Sequence, residues 1–290
     1  MGVKTRLSSA RKKLIDPILF GAYHNLPHGL ETSIWEDDWD VCIVLDACRP
    51  DVLEYHAEEF SFLPTNVQKK WSVASTSLGW IDKTLGSGSE QAEKTVYVTA
   101  NVHSELVFSG DELAELDEVW RYAWLDDIGT VPPKAVSDSV IEHGRETTNE
   151  RIVAHYMQPH FPSIPDGFGV YLDRDDIDEG WGGTWGKIKR EELSAEQAWE
   201  SYKANTHYVL KEVERVLSNV DGDVLITADH ANSWGQWGYW GHPSGKPVPE
   251  IRYVPWVHAT AEDSDTTEIE DWDESVEAST DEQLRALGYR

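Results

Sequence analysis

The sequence predicts an α/β fold: a doubly wound, mostly parallel sheet with helices on both faces. Three observations carry that expectation. Short apolar runs rich in β-branched residues alternate with longer stretches of helical spacing, the pattern of strands joined by crossover helices. Residues with chemical capacity (Asp46, His160, Asp229, His230) stand at or just beyond the ends of these runs, where open α/β sheets keep their ligands. The chain has 290 residues, 40% of them hydrophobic and 14 of them Trp, with no internal repeat, which suits one large domain.

Charge and cysteine content narrow the setting. The chain carries 53 acidic against 25 basic residues, a net charge of −28, and phosphate backbones would be repelled by it. No nucleic-acid partner is expected. Acid spread through a chain with a full apolar complement resembles a halophile's solvated surface and points to a salty cytoplasm. Cys42 and Cys48 are too few for a disulfide framework and too far apart along an extended segment to bridge, in keeping with a reduced, cytoplasmic setting. No apolar run reaches membrane-spanning length, and the start lacks a signal peptide's apolar core. Residues 1–22 combine Lys4, Arg6, Arg11, Lys12 and Lys13 with Leu14, Ile15, Ile18, Leu19 and Phe20. This basic helical arm, reaching to residue 35, could rest peripherally on the inner membrane face or dock on its own domain, although Pro17 interrupts it.

Taken in order, residues 39–45 (WDVCIVL) read as the first strand, closing in Asp46 with a helix starting near Asp51. Asp46 is placed either to ligate a metal or to cap that helix. Residues 72–80 set Ser75, Thr76 and Ser77 in a row before a helical run. A hydroxyl there meets free backbone N–H groups and a positive dipole end, a setting for an anion or an attacking oxygen as well as for plain capping. Residues 95–98 form the next strand, and acidic helices are expected over 110–124 and 133–149, with Glu112, Glu115 and Glu118 on a solvated face. Residues 152–157 (IVAHYM) read as a strand with His155 as a hydrogen-bonded core residue, and His160 follows in the loop. Residues 162–190, rich in Gly, Asp and Trp, form a loop insertion or lid. Its Asp173, Asp175, Asp176 and Asp178 lack an EF-hand's full spacing and read as solvated acids.

The second half has the same rhythm. Ser194 opens a long helix by a capping pattern, with apolar positions at helical spacing from Ala198 to Leu217. Residues 224–226 (VLI) form a buried strand ending in Asp229 and His230, with His242 twelve residues on, a donor set suited to a divalent metal. A last strand is expected over 249–257. Residues 261–280 read as an acidic mobile linker, followed by a short C-terminal segment that docks back. The α/β domain thus covers 36–260, and 261–290 are linker and docking segment.

In this order the motifs resemble the alkaline phosphatase superfamily, and within it the sulfatase-like hydrolase and transferase branch. VLDACRPDVL resembles its first metal motif, VASTSLGW its nucleophile segment and HYMQPHFP its substrate-binding His segment. VLITADHANSWG resembles the second metal motif, EIRYVPWV the strand after it, and QLRALGY a common sulfatase ending. The resemblance implies Asp46, Asp229 and His230 as ligands of one divalent metal (Mn, Zn, Mg or Ca), with a hydroxyl nucleophile completing the site. Thr76 is the expected nucleophile, with Ser77 and Ser75 as alternatives. His160, His242, Lys246 and Arg49 are implied as substrate contacts, Arg49 otherwise as partner to a structural carboxylate. Metal contact would lower the hydroxyl's pKa and neutralise charge on the transferred group.

Several positions depart from the family pattern. Neither cysteine lies in the Cys-x-Pro-x-Arg sequence that sulfatases convert to formylglycine, which counts against sulfatase activity by that route. The usual paired Asp is Asp46-Ala47 here, and the further ligand set of two-metal members is not evident, which leaves His242 and His155 in reserve for a second ion. The length implies a reduced or absent C-terminal subdomain. The reading is a metal-dependent hydrolase or transferase of phosphate esters, diesters or phosphonates, acting on a small-molecule, glycan-linked or lipid-linked anionic ester. The alternatives are a non-catalytic metal-binding module in surface glycan or lipid assembly, and a sulfuric ester hydrolase.

Overall fold

The computed structural model describes residues 30–86, 88–110, 112–146, 151–169, 183–272 and 279–288. The basic arm of residues 1–22, and the four aspartates expected in the lid, lie outside them. Among the described residues no helix is long and apolar enough to cross a membrane.

Strands β1 (Val41–Leu45), β5 (Arg151–Tyr156), β3 (Thr95–Thr99) and β6 (Gly222–Thr227) form the centre of the sheet, and nearly all their residues are buried. With β2 (Gln68–Trp71), β4 (Glu115–Glu118) and β9 (Tyr253–Ala261) they make seven strands in the order β2-β9-β6-β1-β5-β3-β4. The five from β6 to β4 are parallel, whereas β9 runs antiparallel to β6 and β2 antiparallel to β9. This is the mostly parallel α/β sheet expected. Alternation along β1 explains the two-sided burial. Val41, Ile43 and Leu45 face one core, Cys42 and Val44 the other. Each such aliphatic side chain contributes about 1.5–3 kcal/mol by leaving water.

Helices α1 (Pro50–His56), α4 (Pro133–Glu146) and α6 (Ala195–Leu217) cover the first face. Pro50 starts α1 with a preset φ, and the Ser194 hydroxyl accepts the Gln197 N–H at the start of α6. The other face is covered by α2 (Ser77–Thr84), by residues 34–39 and by Phe108 beyond the short α3 (Ser104–Val107). A small hairpin, β7 (Ser233–Trp234) with β8 (Trp240–Gly241), stands beyond β6 near α5 (Thr184–Lys189).

Three stretches differ from expectation. Residues 110–124 contain β4 and a 3-10 turn, not an acidic helix. Pairing with β3 satisfies the backbone there, Leu113 and Leu116 pack on the core, and the Glu118 carboxylate accepts from Ser104 Oγ at 2.6 Å. Residues 249–252 form a helical turn, α7 (Pro249–Arg252), and the strand runs on to Ala261. The described part of the acidic stretch after Ala261 is fastened to the domain. Asp263 pairs with Arg145, and Trp272 Nε1 donates to the buried Asp138 at 2.8 Å. Helix α8 (Thr280–Ala286) buries Gln283 and Leu284, with Leu287 just beyond it.

Candidate active site

The parallel register puts the carboxyl ends of four strands side by side. Val44 pairs with both His155 and Thr227, and Thr99 pairs with His155. Directly past these ends lie Asp46, Asn101, Asp229 and His230, each at most 1% exposed, and His155 is the last residue but one of β5. The Ala47 backbone is held at φ 60° as the chain turns away from Asp46, and its N–H donates to Asp229 Oδ1 at 3.0 Å.

Ser77, the first residue of α2, completes the cluster. Its Oγ donates to Asp46 Oδ2 at 3.1 Å and lies 3.3 Å from His230 Nε2. His230 Nε2 lies 3.4 Å from Asp229 Oδ2 and 3.9 Å from Asp46 Oδ1. His155 Nε2 approaches the same carboxylates from the other side, 3.8 Å from Asp229 Oδ2 and 4.0 Å from Asp46 Oδ2. Asp46, His155 and Asp229 present donor atoms all within 4.8 Å of one another.

These residues fit a divalent cation. Asp229 Oδ2 and His155 Nε2 are buried with no hydrogen-bond partner, a costly arrangement that a shared cation would relieve. Oxygen and nitrogen ligands about 2.0–2.1 Å from a tetrahedral ion sit about 3.4 Å apart, close to the Ser77–His230 and His230–Asp229 separations. His230 Nδ1 faces the Ala231 carbonyl at 3.2 Å, and a carbonyl only accepts. The proton therefore sits on Nδ1, and Nε2 offers its lone pair to the cluster, as a metal-ligating imidazole requires. Burial raises the Asp229 carboxyl, but His230, His155 and the Ala47 N–H outweigh it and hold Asp229 below the usual carboxylate range.

On the open side, His160 and His242 face each other with Nε2 atoms 3.2 Å apart, and the His242 ring stacks on His230 at 4.2 Å. His160 Nδ1 donates to the Phe161 carbonyl at 2.6 Å, so His160 Nε2 accepts and His242 Nε2 carries the proton between them. Burial keeps both rings neutral, pushing His160 down to about 4 and His242 lower still. Below this pair, Phe161, Trp185, Trp199, Tyr202 and Trp234 pack ring to ring. The Tyr202 hydroxyl donates to the Ala47 carbonyl at 2.8 Å, which ties that aromatic layer to the Asp46 turn.

The structure thus brings together Asp46, Ser77, Asp229, His230, His160 and His242. Thr76, the expected nucleophile, is not among them. It is the residue before α2, and its hydroxyl accepts the Gly79 N–H at 3.4 Å. Ser75 Oγ accepts the Gly245 N–H at 2.9 Å and so binds the loop after His242. Lys246 follows in that loop with its Nζ over the Tyr239 ring. Arg49 donates two hydrogen bonds to Asp51 and one to the Asn232 carbonyl, the pairing with a carboxylate that was its alternative role. His155 is the core histidine turned ligand candidate. Asn101, whose Nδ2 donates to Asp46 Oδ2 at 2.8 Å, and His103, lowered to about 4 by burial, were not singled out from the sequence. Their position just after the Thr95–Thr99 strand was the signal.

No protein-family model matches the sequence, and no curated protein matches it. Solved structures do. The integral membrane lipooligosaccharide phosphoethanolamine transferase A of Neisseria meningitidis aligns over 91% of this chain and 56% of its own, at 12% identity and TM-score 0.51. Its soluble domain aligns over 86% of each chain at 11% identity and TM-score 0.50. A 2-O GAG sulfatase, BT1596, aligns over 76% of this chain and 63% of its own at 14% identity and TM-score 0.45. The chain thus spans just over half of the full-length transferase and under two thirds of the sulfatase. With its seven-stranded mostly parallel sheet, the chain shares the α/β fold of the phosphoethanolamine transferase domain.

Proposed function

We propose that the chain is a metal-dependent hydrolase or transferase of phosphate esters, diesters or phosphonates, with Ser77 as its nucleophile. One observation carries the reading: Ser77 Oγ, at the head of α2, lies 3.1 Å from Asp46 Oδ2 and 3.3 Å from His230 Nε2, beside the buried, unbonded Asp229 Oδ2. Asp46, Asp229 and His230 would hold one divalent cation, with His155 as a further donor. Bound there, the cation would lower the Ser77 hydroxyl's pKa and offset charge on the transferred group. Asp46 Oδ2 already accepts the Ser77 hydroxyl hydrogen and so fixes the position of its oxygen. The first N–H groups of α2 favour negative charge beside it. The His242 Nε2–H, now directed at His160, could donate a hydrogen bond to a leaving-group oxygen, and Lys246, four residues after His242, would attract an anionic ester. Cys42 and Cys48 are both buried away from the nucleophile position, which speaks against the formylglycine route to sulfate esters.

The test is turnover of aryl phosphate monoester, diester, phosphonate and sulfate substrates at high salt, with Mn, Zn, Mg or Ca added, beside Ser77→Ala, Thr76→Ala and Asp229→Ala. Metal-dependent turnover that falls roughly 10⁴-fold in Ser77→Ala and Asp229→Ala, and less than tenfold in Thr76→Ala, is expected. Equal loss in Thr76→Ala and Ser77→Ala would remove Ser77 from its role. Wild-type binding of metal without turnover of any substrate would favour a non-catalytic binding module.

A further inference from the structure

The imidazoles at this site differ in what fixes their protons. His230 and His160 each hold Nδ1 against a backbone carbonyl, which dictates the tautomer. His155 holds Nδ1 at 2.8 Å from the Tyr97 hydroxyl, a group that can either donate or accept. Tyr97 and His155 lie on one face of the neighbouring strands β3 and β5, since Thr99 pairs with His155 and Tyr97 stands two residues before Thr99. Both side chains are fully buried, and the His155 ring is wedged between Trp80 and Tyr97.

The two tautomers have opposite consequences at Nε2, which lacks a hydrogen-bond partner and has two carboxylate oxygens at 3.8 and 4.0 Å. With the proton on Nε2, an N–H points at the carboxylates, and Tyr97 donates to Nδ1. With the proton on Nδ1, that N–H donates to Tyr97, and the Nε2 lone pair faces the carboxylates. Without a cation between them that second arrangement is repulsive; with one it is a ligand.

We propose that Tyr97 is the positioning residue for His155. Its hydroxyl reverses from donor to acceptor as a divalent cation arrives, which lets Nε2 ligate without leaving Nδ1 unbonded. The proposal rests on the metal reading above and adds a residue that does not touch the ion.

Cobalt(II) titration of the full chain tests it, with Tyr97→Phe removing only the hydroxyl. The variant is expected to bind cobalt roughly 10- to 100-fold more weakly and with an altered visible spectrum, while its metal-free form keeps the wild-type far-UV signal. Wild-type affinity and spectrum in Tyr97→Phe would overturn the proposal. A wild-type chain that takes up no cobalt would overturn the metal reading itself, and this proposal with it. If Tyr97→Phe fails to fold, imidazole ¹⁵N shifts of the wild-type chain decide, with the His155 signal identified by its loss in His155→Gln. A proton on Nε2 before zinc and on Nδ1 after it is expected, and a proton still on Nε2 in the zinc-loaded chain would overturn the proposal.

Discussion

Ser77 and Thr76 are neighbours whose oxygens meet different groups, and substitution should separate their effects. Thr76→Ala removes the hydroxyl that accepts the Gly79 N–H and is expected to lower stability by about 1 kcal/mol, read by denaturant unfolding. Ser77→Ala leaves that cap in place, so its unfolding midpoint should move less than that of Thr76→Ala. Asn101→Ala takes a donor from Asp46 Oδ2 and should weaken metal binding about tenfold in a cobalt titration, with smaller change in the metal-free chain's unfolding. At this scale the sequence was partly legible. Asp46, Asp229 and His230 follow apolar runs directly, so strand logic alone sets them at the sheet's carboxyl edge. Three hydroxyls in a row could not be told apart, because each step into a helix turns the side chain by about 100° and the register depends on tertiary contacts. His155 was hidden by its apolar neighbours, which look the same whether a histidine fills a core or faces a carboxylate pair.

Among the elements, the described acidic stretch after β9 shows what composition conceals. Asp138, on α4 and 1% exposed, accepts from Lys134, from Arg215 on α6 and from Trp272 of that stretch. Two helices and the C-terminal segment therefore meet at one buried carboxylate. Arg215→Ala should cost about 2–3 kcal/mol in chemical unfolding, since it leaves that carboxylate short of charge, whereas Asp265→Ala, on a nearly fully exposed acid, should cost under about 0.5 kcal/mol. A run of acids and threonines reads as solvated because sequence does not reveal the distant Arg145, Lys134 and Arg215 that receive it. Strand β4 was missed for a related reason. Its two Glu and its Leu favour helix and its acids are poor strand formers, and pairing with β3 overrides both. The central strands were legible because their burial on both faces makes them continuous apolar runs.

Over the whole molecule, the buried imidazoles set an acid limit. Burial depresses His103, His155 and His160 to about 4, and lowers His56 and His242 as well. Unfolded, each would take a proton near its ordinary value of about 6.5, so the unfolded state binds more protons as pH falls from there toward about 4. Stability of the metal-free chain should be fully present above about pH 6.5 and lost progressively below it. His143, raised by Asp117, opposes this, since its contribution is present below about 6.5 and lost as pH rises through its folded value. Among the described residues five histidines lowered by burial outweigh the one raised, so the melting temperature should fall between pH 7 and pH 5. The net charge of −28 adds a salt dependence: self-repulsion is screened as ionic strength rises, so the same melting temperature should climb from 0.1 M salt, roughly, toward molar salt.

The register that sets β1 between β5 and β6 has a further consequence, for the order of biosynthesis. Asp46 and Ser77 leave the ribosome early, but Asp229 and His230 leave some 182 residues after the turn that will hold them. A nascent chain stopped before β6 has Asp46, Ser77 and His155 but lacks both Asp229 and His230. On the metal reading proposed above, loading would wait until nearly four fifths of the chain has been made and the last parallel strand has slotted in beside β1. Ion uptake in this protein would mark the completion of its folding, and an ion supplied during translation would find no nest to occupy.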